Sequence, residues 1–456
     1  MKHLFANCHV KSVAFLAGIV ALISSWSLPA QAAGTTQQFV HLGRGVPAVL
    51  YTPSEKSIKS KTAVFVMHAA ADYLEFSACT ELSSRGYTVL CANSYSSKWG
   101  PSTDANIDML LPGVKLGVDY LKGSENIDNV VLLGHSGGGD LMAAYQAIAE
   151  GGLAVCQSPE VLQFCPDSIG TLTPADGLML VDANYGLGTM VLFSLDPAIV
   201  DETNGKVLDP ALDLNNPDNG FEEGGSHYPQ AFISRFQQAV GMRNTRLIKA
   251  AQARLAALDN GTAPYADDEP LTIPGANFGF MNNKLYAQDT TLLSHTKAEH
   301  PLVKPDGSVI NQIIHSVRPA SGKGASSDSY WEGALKTTVK TFLGTYAIRT
   351  TPDFSYGEDE IKGVDWDSSY TTPISSVKHV QAPLLAMGMT GGWEYLAAEL
   401  IYDHAVSSDK SIAFIEGATH TYNTCKQCET TEGEYGDTLK TTYDYIDQWL
   451  STEGRF

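Results

Sequence analysis

The sequence is poor in positive charge. It has 30 lysine and arginine residues against 50 aspartate and glutamate residues, which gives a formal net charge of −20 at pH 7. Proteins that bind nucleic acid or an anionic membrane surface have the opposite balance, because the phosphates of these partners attract basic residues. The composition therefore argues against both partners. The acidic residues are spread along the chain, and we interpret them as a solubility feature of a protein that works outside the cytoplasm.

The sequence also lacks an apolar run long enough to cross a membrane. The longest run, "SVAFLAGIVALI", is shorter than the roughly 20 residues of a transmembrane helix. It follows Lys2 and Lys11 and precedes Ala30-Gln31-Ala32, an order typical of a cleaved secretory signal peptide. We therefore predict a signal peptide at residues 1–32, cleavage near Ala32, no membrane span, and a secreted or periplasmic mature protein. Cys8 lies before the apolar run, which argues against a lipid anchor at the cleavage site.

Cysteine is scarce, and its number is informative. Seven cysteines are present, and removal of Cys8 with the signal peptide leaves six (7 − 1), an even number that indicates disulfides in an oxidising compartment. The nearest pairs along the sequence are Cys79 with Cys91, Cys156 with Cys165, and Cys425 with Cys428. The last pair, "CKQC", lacks the second cysteine pair or nearby His-x-His that a metal site would need. We predict three disulfides and no metal.

A serine surrounded by glycines follows one apolar run. In "NVVLLGHSGGGDLMAAYQAIAEGG", a short β-type segment ends at Ser136 and a helical pattern begins directly after it. The pattern G-x-S-x-G is typical of a sharp strand-to-helix turn that exposes a nucleophilic serine at the carboxyl edge of a sheet. The backbone N–H groups that open the helix would stabilise negative charge at the same place. We predict that Ser136 is a nucleophile.

Strands alternate with helices on both sides of a long segment that has a different character. "TAVFVMH", "YTVLCANSY", "DGLMLVDANYG", "APLLAMGM" and "KSIAFIEG" read as buried strands of a mostly parallel sheet flanked by helices, an α/β fold. Between residues 187 and 373 no such strand is recognised, and "PQAFISRFQQAVGMRNTRLIKAAQARLAALDNG" and "YWEGALKTTVKTFLGTYAI" have helical spacing. We predict a core formed by residues 33–186 and 374–456, interrupted by a mainly helical cap at 187–373.

A serine nucleophile requires a base and a group that orients the base. His420 in "FIEGATHTY" follows the last predicted strand and precedes the closing helix, so we predict that it is the base. With "MHAAAD", "GHSGGG" and "GATHTY" in this order, the chain resembles an α/β-hydrolase over about residues 62–185 and 373–450. The resemblance implies that the backbone N–H groups of Gly137 and Ala70 bind the oxyanion. The family usually has His-Gly where this chain has His68-Ala69, and we interpret His68 as structural.

The orienting acid has two candidates. Most of the family place an aspartate after the strand that corresponds to "PLLAMGM", where this chain has "TGGWEYLAAE" and offers Glu394. Some lipase-like members place the acid one strand earlier, where this chain has Asp182 at the end of "LMLVD". We favour Asp182 and retain Glu394 as the alternative. Glu399 or Asp403 would be next if neither serves.

These residues predict a secreted serine hydrolase that cleaves a carboxylic ester through an acyl-enzyme, without a cofactor. The substrate would be a small-molecule or polymeric ester, and the oligomeric state is not predicted. A peptidase or amidase, or a depolymerase of polymeric esters, would use the same residues, and a catalytically inactive binding protein would be expected to have lost some of them. Residues of the cap that could form an apolar pocket are Phe278, Phe280, Met281, Tyr330 and Trp331.

Overall fold

The computed structural model describes residues 34–96, 98, 105–279, 284–321, 329–330 and 332–456. The predicted signal peptide and cleavage site lie outside these ranges, as do Phe280, Met281 and Trp331. Among the described residues, no helix combines the length and the apolar character needed to cross a bilayer.

The described part of the chain forms one large sheet and two small ones. The strands are β1 Thr35–His41, β2 Pro47–Pro53, β3 Thr62–His68, β4 Thr88–Asn93, β5 Asn129–Ser136, β6 Gly177–Ala183, β7 Pro270–Ile273, β8 His295–Val303, β9 Val309–His315, β10 Leu335–Thr338, β11 Arg349–Tyr356, β12 Ile361–Asp365, β13 Leu384–Met389 and β14 Lys410–Ile415. The large sheet has the order β1-β2-β4-β3-β5-β6-β13-β14-β8-β9, and the small sheets are β7 with β10 and β11 with β12. The series from β4 to β8 is parallel, whereas β1, β2 and β9 pair antiparallel. The predicted mostly parallel sheet is confirmed.

Helices cover both faces of the large sheet. They are α1 Ser77–Ser84, α2 Ile107–Lys122, α3 Gly137–Gly151, α4 Leu187–Ser194, α5 Gln230–Asp259, α6 Leu285–Gln288, α7 Val339–Thr341, α8 Pro373–Ser376, α9 Ala397–His404 and α10 Thr438–Leu450. Apolar residues of α2, α3 and α9 belong to the core on one face, and those of α1 and α10 to the core on the other. The approach of α2 to β3 is close enough that a Cβ on Gly117 would lie 2.2 Å from the Phe65 ring. Burial on both faces explains why the central strands are continuous apolar runs.

The segment between β6 and β13 contains more β structure than we predicted. It holds the strands β7 to β12, and β8 extends the large sheet by pairing parallel to β14. The expectation that this segment contributes no strand to the sheet was wrong, although α5 is still its longest element. β8 and β9 lie at the edge of the sheet and carry many exposed residues, so they lack the continuous apolar run of a strand covered on both faces.

The two helical patterns predicted in this segment have different outcomes. The first forms α5, a single helix of 30 residues. The second is divided among β10, α7 and a short π-helix at Phe342–Tyr346. Its β part pairs with β7, whose residues lie 62 (335 − 273) to 68 (338 − 270) positions earlier, and spacing within the segment cannot indicate such a pairing.

The three disulfides predicted from sequence proximity are confirmed. Cys79 in α1 is bonded to Cys91 in β4. Cys156–Cys165 closes the loop after α3, and Cys425–Cys428 lies in the loop between β14 and α10.

Candidate active site

Ser136 occupies the predicted sharp turn between β5 and α3. Its backbone angles are φ 54° and ψ −131°, a conformation that residues other than glycine rarely adopt. The neighbouring glycines are needed because the chain passes close to other backbone atoms. A Cβ on Gly134 would lie 2.7 Å from the carbonyl oxygen of Gly138, and a Cβ on Gly138 would lie 2.7 Å from that of Met67. The predicted turn is therefore present, with Ser136 at its tip.

His420 lies in the loop after β14, as predicted. Its Nδ1–H donates to Oδ2 of Asp182 over 2.6 Å, while the nearer oxygen of Glu394 is 3.7 Å away. Asp182 is the penultimate residue of β6, its side chain is fully buried, and its other oxygen accepts the N–H of Met389 over 2.9 Å. The structure thus brings both candidate acids to His420, with Asp182 in direct hydrogen-bond contact.

The loop after β13 packs against Asp182 at one residue. A Cβ on Gly392 would lie 2.9 Å from Asp182 Oδ2. Of the remaining carboxylates considered, Glu399 accepts a hydrogen bond from His300 Nε2 over 2.8 Å instead. The charges of Glu399 and His300 both act on Asp403. Glu399 and Asp403 therefore do not belong to the His420 cluster.

The two carboxylates change the acidity of His420. Burial alone would lower its pKa, but the hydrogen bond to Asp182 and the charges of Asp182 and Glu394 outweigh burial and raise the pKa to about 9. The charge of Lys284 acts in the opposite direction. The imidazolium form of His420 is therefore stabilised by its surroundings.

A histidine that we did not single out from the sequence supports the His420 loop. His135 precedes Ser136, and its Nε2–H donates to the backbone oxygen of His420 over 2.7 Å. Its Nδ1 accepts from the hydroxyl of Tyr73. Burial holds the pKa of His135 well below its usual value, so the ring is neutral and makes both hydrogen bonds. The sequence places His135 inside the G-x-S-x-G pattern but gives no signal for either partner.

The predicted oxyanion donors are only partly supported. Gly137 opens α3 beside Ser136, in the position expected of a backbone donor. The N–H of Ala70, however, donates to Nδ1 of His68 over 3.0 Å, and that of Ala71 donates to the same atom over 2.7 Å. The prediction for Ala70 needs correction, because its N–H already has an acceptor within the protein.

These groups surround one cavity of about 500 Å³. Ser136, Gly137, His420 and Glu394 line it, together with residues from the segment between β6 and β13. That segment supplies Leu187, Met190, Asn277, Phe278 and Gly279. Of the cap residues proposed for a pocket, Phe278 is confirmed as a lining residue, whereas Tyr330 is 60% exposed and is not part of the lining.

Asp182, Glu394 and His420 also form the kind of cluster that can bind a cation. Their ligand atoms lie within 4.8 Å of one another. A cation there would have to displace the proton that His420 shares with Asp182, since the two atoms are only 2.6 Å apart. The prediction of a metal-free site stays a prediction.

Comparison with family models and with curated proteins finds no match. Comparison with solved structures finds matches of low sequence identity that extend over most of the chain. Est1E from Butyrivibrio proteoclasticus is 10% identical, with 92% of this chain and 98% of that chain covered and a TM-score of 0.38. The siderophore hydrolase EstB from Aspergillus fumigatus is 11% identical (93% and 98%, TM-score 0.41), and a soluble variant of monoglyceride lipase from Saccharomyces cerevisiae is 12% identical (93% and 97%, TM-score 0.39).

Similarities this distant carry no argument about fold or function. The assignment of the fold therefore rests on the chain itself. An antiparallel β2 lies beside the parallel series β4-β3-β5-β6-β13-β14, with the serine turn after β5 and the histidine loop after β14. The three motifs on which the sequence resemblance was based, "MHAAAD", "GHSGGG" and "GATHTY", lie at the end of β3, at the end of β5 and after β14. The chain has the α/β-hydrolase fold.

Proposed function

We propose that this protein is an exported serine hydrolase that cleaves carboxylic esters. Ser136 is the nucleophile, His420 the general base and Asp182 the acid that orients it. The observation that carries the proposal is the hydrogen bond between His420 Nδ1–H and the fully buried Asp182, in a cavity that Ser136 also lines. With Nδ1 protonated towards Asp182, neutral His420 has its Nε2 lone pair available as a base.

The chemistry follows from this arrangement. His420 Nε2 takes the proton of Ser136 as Oγ bonds to the carbonyl carbon of the ester, and the carbonyl oxygen becomes an oxyanion. The tetrahedral intermediate then breaks the bond to the alcohol oxygen, which receives the proton from His420. Water repeats these steps on the acyl-enzyme and releases the acid and free Ser136.

Glu394 adds a second negative charge close to His420. Its nearer oxygen is 3.7 Å from Nδ1, beyond hydrogen-bond reach, so it acts through charge rather than by fixing the ring. It stabilises the imidazolium that forms while Ser136 attacks. Asp182 therefore orients the ring and adds negative charge, whereas Glu394 contributes charge alone.

The cavity favours an ester with apolar groups. Its lining includes Leu187, Met190, Phe278, Trp393 and three consecutive alanines that begin at Ala69. Contacts of this kind gain binding free energy from apolar surface and offer little to a charged acyl or alcohol group.

Export is supported by the N-terminal sequence and by the cysteines. The leader has the charge, apolar run and cleavage pattern of a signal peptide. The six remaining cysteines form three disulfides, which persist in oxidising compartments.

The test is Ser136→Ala together with labelling by a fluorophosphonate. We expect the folded variant to lose ester hydrolysis by several orders of magnitude and to lose labelling, because the nucleophile and base act as a unit. Ser376→Ala is the control, since Ser376 is a buried serine whose hydroxyl donates to the backbone of Tyr370 away from the cavity. It should keep both properties. Hydrolysis of aryl esters by Ser136→Ala at the wild-type rate would refute the proposal, and a parallel series of anilides separates an esterase from an amidase.

A further inference from the structure

His68 presents a hydrogen-bond donor to the cavity. Its Nδ1 accepts the backbone N–H groups of Ala70 and Ala71, over 3.0 and 2.7 Å. Burial, with the charges of His420 and Lys98, lowers the pKa of His68 to about 3, so its ring is neutral. A neutral imidazole has one proton, and an Nδ1 that accepts two hydrogen bonds cannot carry it. The proton is therefore on Nε2.

That Nε2 lies beside the residue that follows the nucleophile. The position that a Cβ on Gly137 would occupy is 3.4 Å from His68 Nε2, and both residues line the cavity. Gly137 also carries the backbone N–H expected to bind an oxyanion. The His68 donor and the Gly137 donor thus border the same space.

Asn184 provides another donor at this place. Its Oδ1 accepts the N–H of Gly186 over 2.8 Å, which fixes the orientation of the amide and makes the other terminal atom the nitrogen. That Nδ2 lies 4.0 Å from the same Cβ position on Gly137. Asn184 is only 5% exposed and lines the cavity, so little water competes for this donor.

We propose that the oxyanion of the tetrahedral intermediate is bound by His68 Nε2–H and Asn184 Nδ2–H together with the N–H of Gly137, in place of the N–H of Ala70. The inference rests on the proposed function and adds two catalytic residues to it. It also assigns a function to the loop "HAAA", residues 68–71, at the end of β3. The backbone donors after β3 hold the histidine ring, and the ring, rather than the backbone, faces the reacting carbonyl.

The first experiment measures Asn184→Ala and His68→Phe on an aryl ester. Donors that bind an oxyanion act mainly in the transition state, so we expect kcat to fall about 10²- to 10³-fold for each variant while KM changes little. Affinity for an aryl trifluoromethyl ketone, whose adduct with Ser136 carries an oxyanion, should fall in parallel with kcat/KM. Asn244→Ala is the control, because this buried amide donates to the backbone of Ile348 outside the cavity and its loss should leave kcat unchanged.

A kcat within threefold of wild type in both variants would overturn the inference, and so would losses confined to KM. If a variant fails to fold, the inference can be tested directly on the wild-type protein. With ¹⁵N-labelled histidine, His68 should show a protonated Nε2 whose proton shifts downfield when the trifluoromethyl ketone binds, and an unprotonated or unresponsive Nε2 would contradict us. These results are separate from the failure of the proposed function, in which Ser136→Ala itself would retain activity.

Discussion

Two residues of the candidate site share an unusual backbone conformation. Ser136 and Asp182 have φ values of 54° and 47°, whereas a positive φ is normally left to glycine. Each costs of order 1–3 kcal/mol and persists because the surrounding structure imposes it. Both lie where a strand of the sheet ends, β5 and β6, so the strain is located at the atoms that the proposed chemistry uses.

Because of this strain, we expect the glycine variant at Ser136 to be more stable than the alanine variant, the reverse of the usual order. At Ser136, glycine relieves the strain and alanine does not, so we expect Ser136→Gly to be more stable than Ser136→Ala by about 1 kcal/mol. Ser234, exposed within α5, is the control. There alanine should be more stable than glycine, by about 1 kcal/mol. Denaturant unfolding of the four variants measures both differences, and the same order at both positions would contradict the prediction.

The two carboxylates beside His420 should be distinguishable by rate and by pH. Asp182→Asn loses the group that fixes the ring, so kcat should fall about 10³- to 10⁴-fold. Glu394→Gln should stay within about tenfold of wild type, since only a charge 3.7 Å away is removed. Comparable losses in both variants would show that Glu394 shares the orienting role.

The pH dependence follows from the pKa of His420. Only neutral His420 accepts the proton of Ser136, so kcat/KM should rise with pH and level off above about 9. Both carboxylates raise this pKa, with Asp182 the larger cause. Removing either negative charge should therefore move the midpoint of the profile to lower pH, further in Asp182→Asn than in Glu394→Gln. A midpoint near pH 6 in the wild type would be evidence against a raised pKa.

At the scale of elements, local patterns were predictable and distant pairings were not. The turn at Ser136 follows from glycines within a few residues, and the disulfides join cysteines close in sequence. The acid was left open between Asp182 and Glu394 because the choice depends on how the loop after β13 packs against Asp182. The strands β8 and β9 were missed because exposed residues interrupt them, so neither is a continuous buried apolar run. The acceptor that occupies the Ala70 N–H is a ring whose rotation the sequence does not specify.

A buried carboxylate joins the core to the inserted segment by hydrogen bonds. Glu399 in α9 accepts from His300 in β8 and from the backbone N–H groups of Lys297 and Ala298. Burial raises the pKa of Glu399, but these hydrogen bonds outweigh it and lower the net value. The contribution to stability is thus present at neutral pH and lost as the carboxylate protonates in acid.

Glu399→Gln should destabilise the protein by about 1–3 kcal/mol at pH 7, because it removes the buried charged acceptor of the hydrogen bonds from His300, Lys297 and Ala298. The loss should shrink as the pH falls below the ordinary pKa of a glutamate. Glu360→Gln removes an exposed partner of Lys362 and should leave the midpoint of thermal unfolding unchanged. Equal shifts of the unfolding midpoint in the two variants would mean that the buried contacts of Glu399 stabilise the protein no more than the ion pair of Glu360.

At the scale of the whole molecule, export and disulfide formation can both be tested by measuring the mass of the intact protein. The mature protein should begin near Ala33, and its six cysteines should resist alkylation until a reductant is added. Intact mass before and after treatment with iodoacetamide, with and without reductant, measures both the start of the chain and the number of free thiols. A protein that gains alkyl groups without reductant would contradict the three disulfides.

The position of β8 and β9 limits how this protein can be redesigned. Because β8 pairs with β14, the inserted segment is not a detachable module that could be exchanged for the lid of another enzyme. Its removal would leave the backbone of β14 as an uncovered sheet edge, which is a template for intermolecular pairing and aggregation. A chimaera that retains residues 295–315 and shortens only the chain around α5 would keep this edge covered. Variation in substrate preference is therefore best sought in Leu187, Met190 and Phe278, which line the cavity without contributing to the edge.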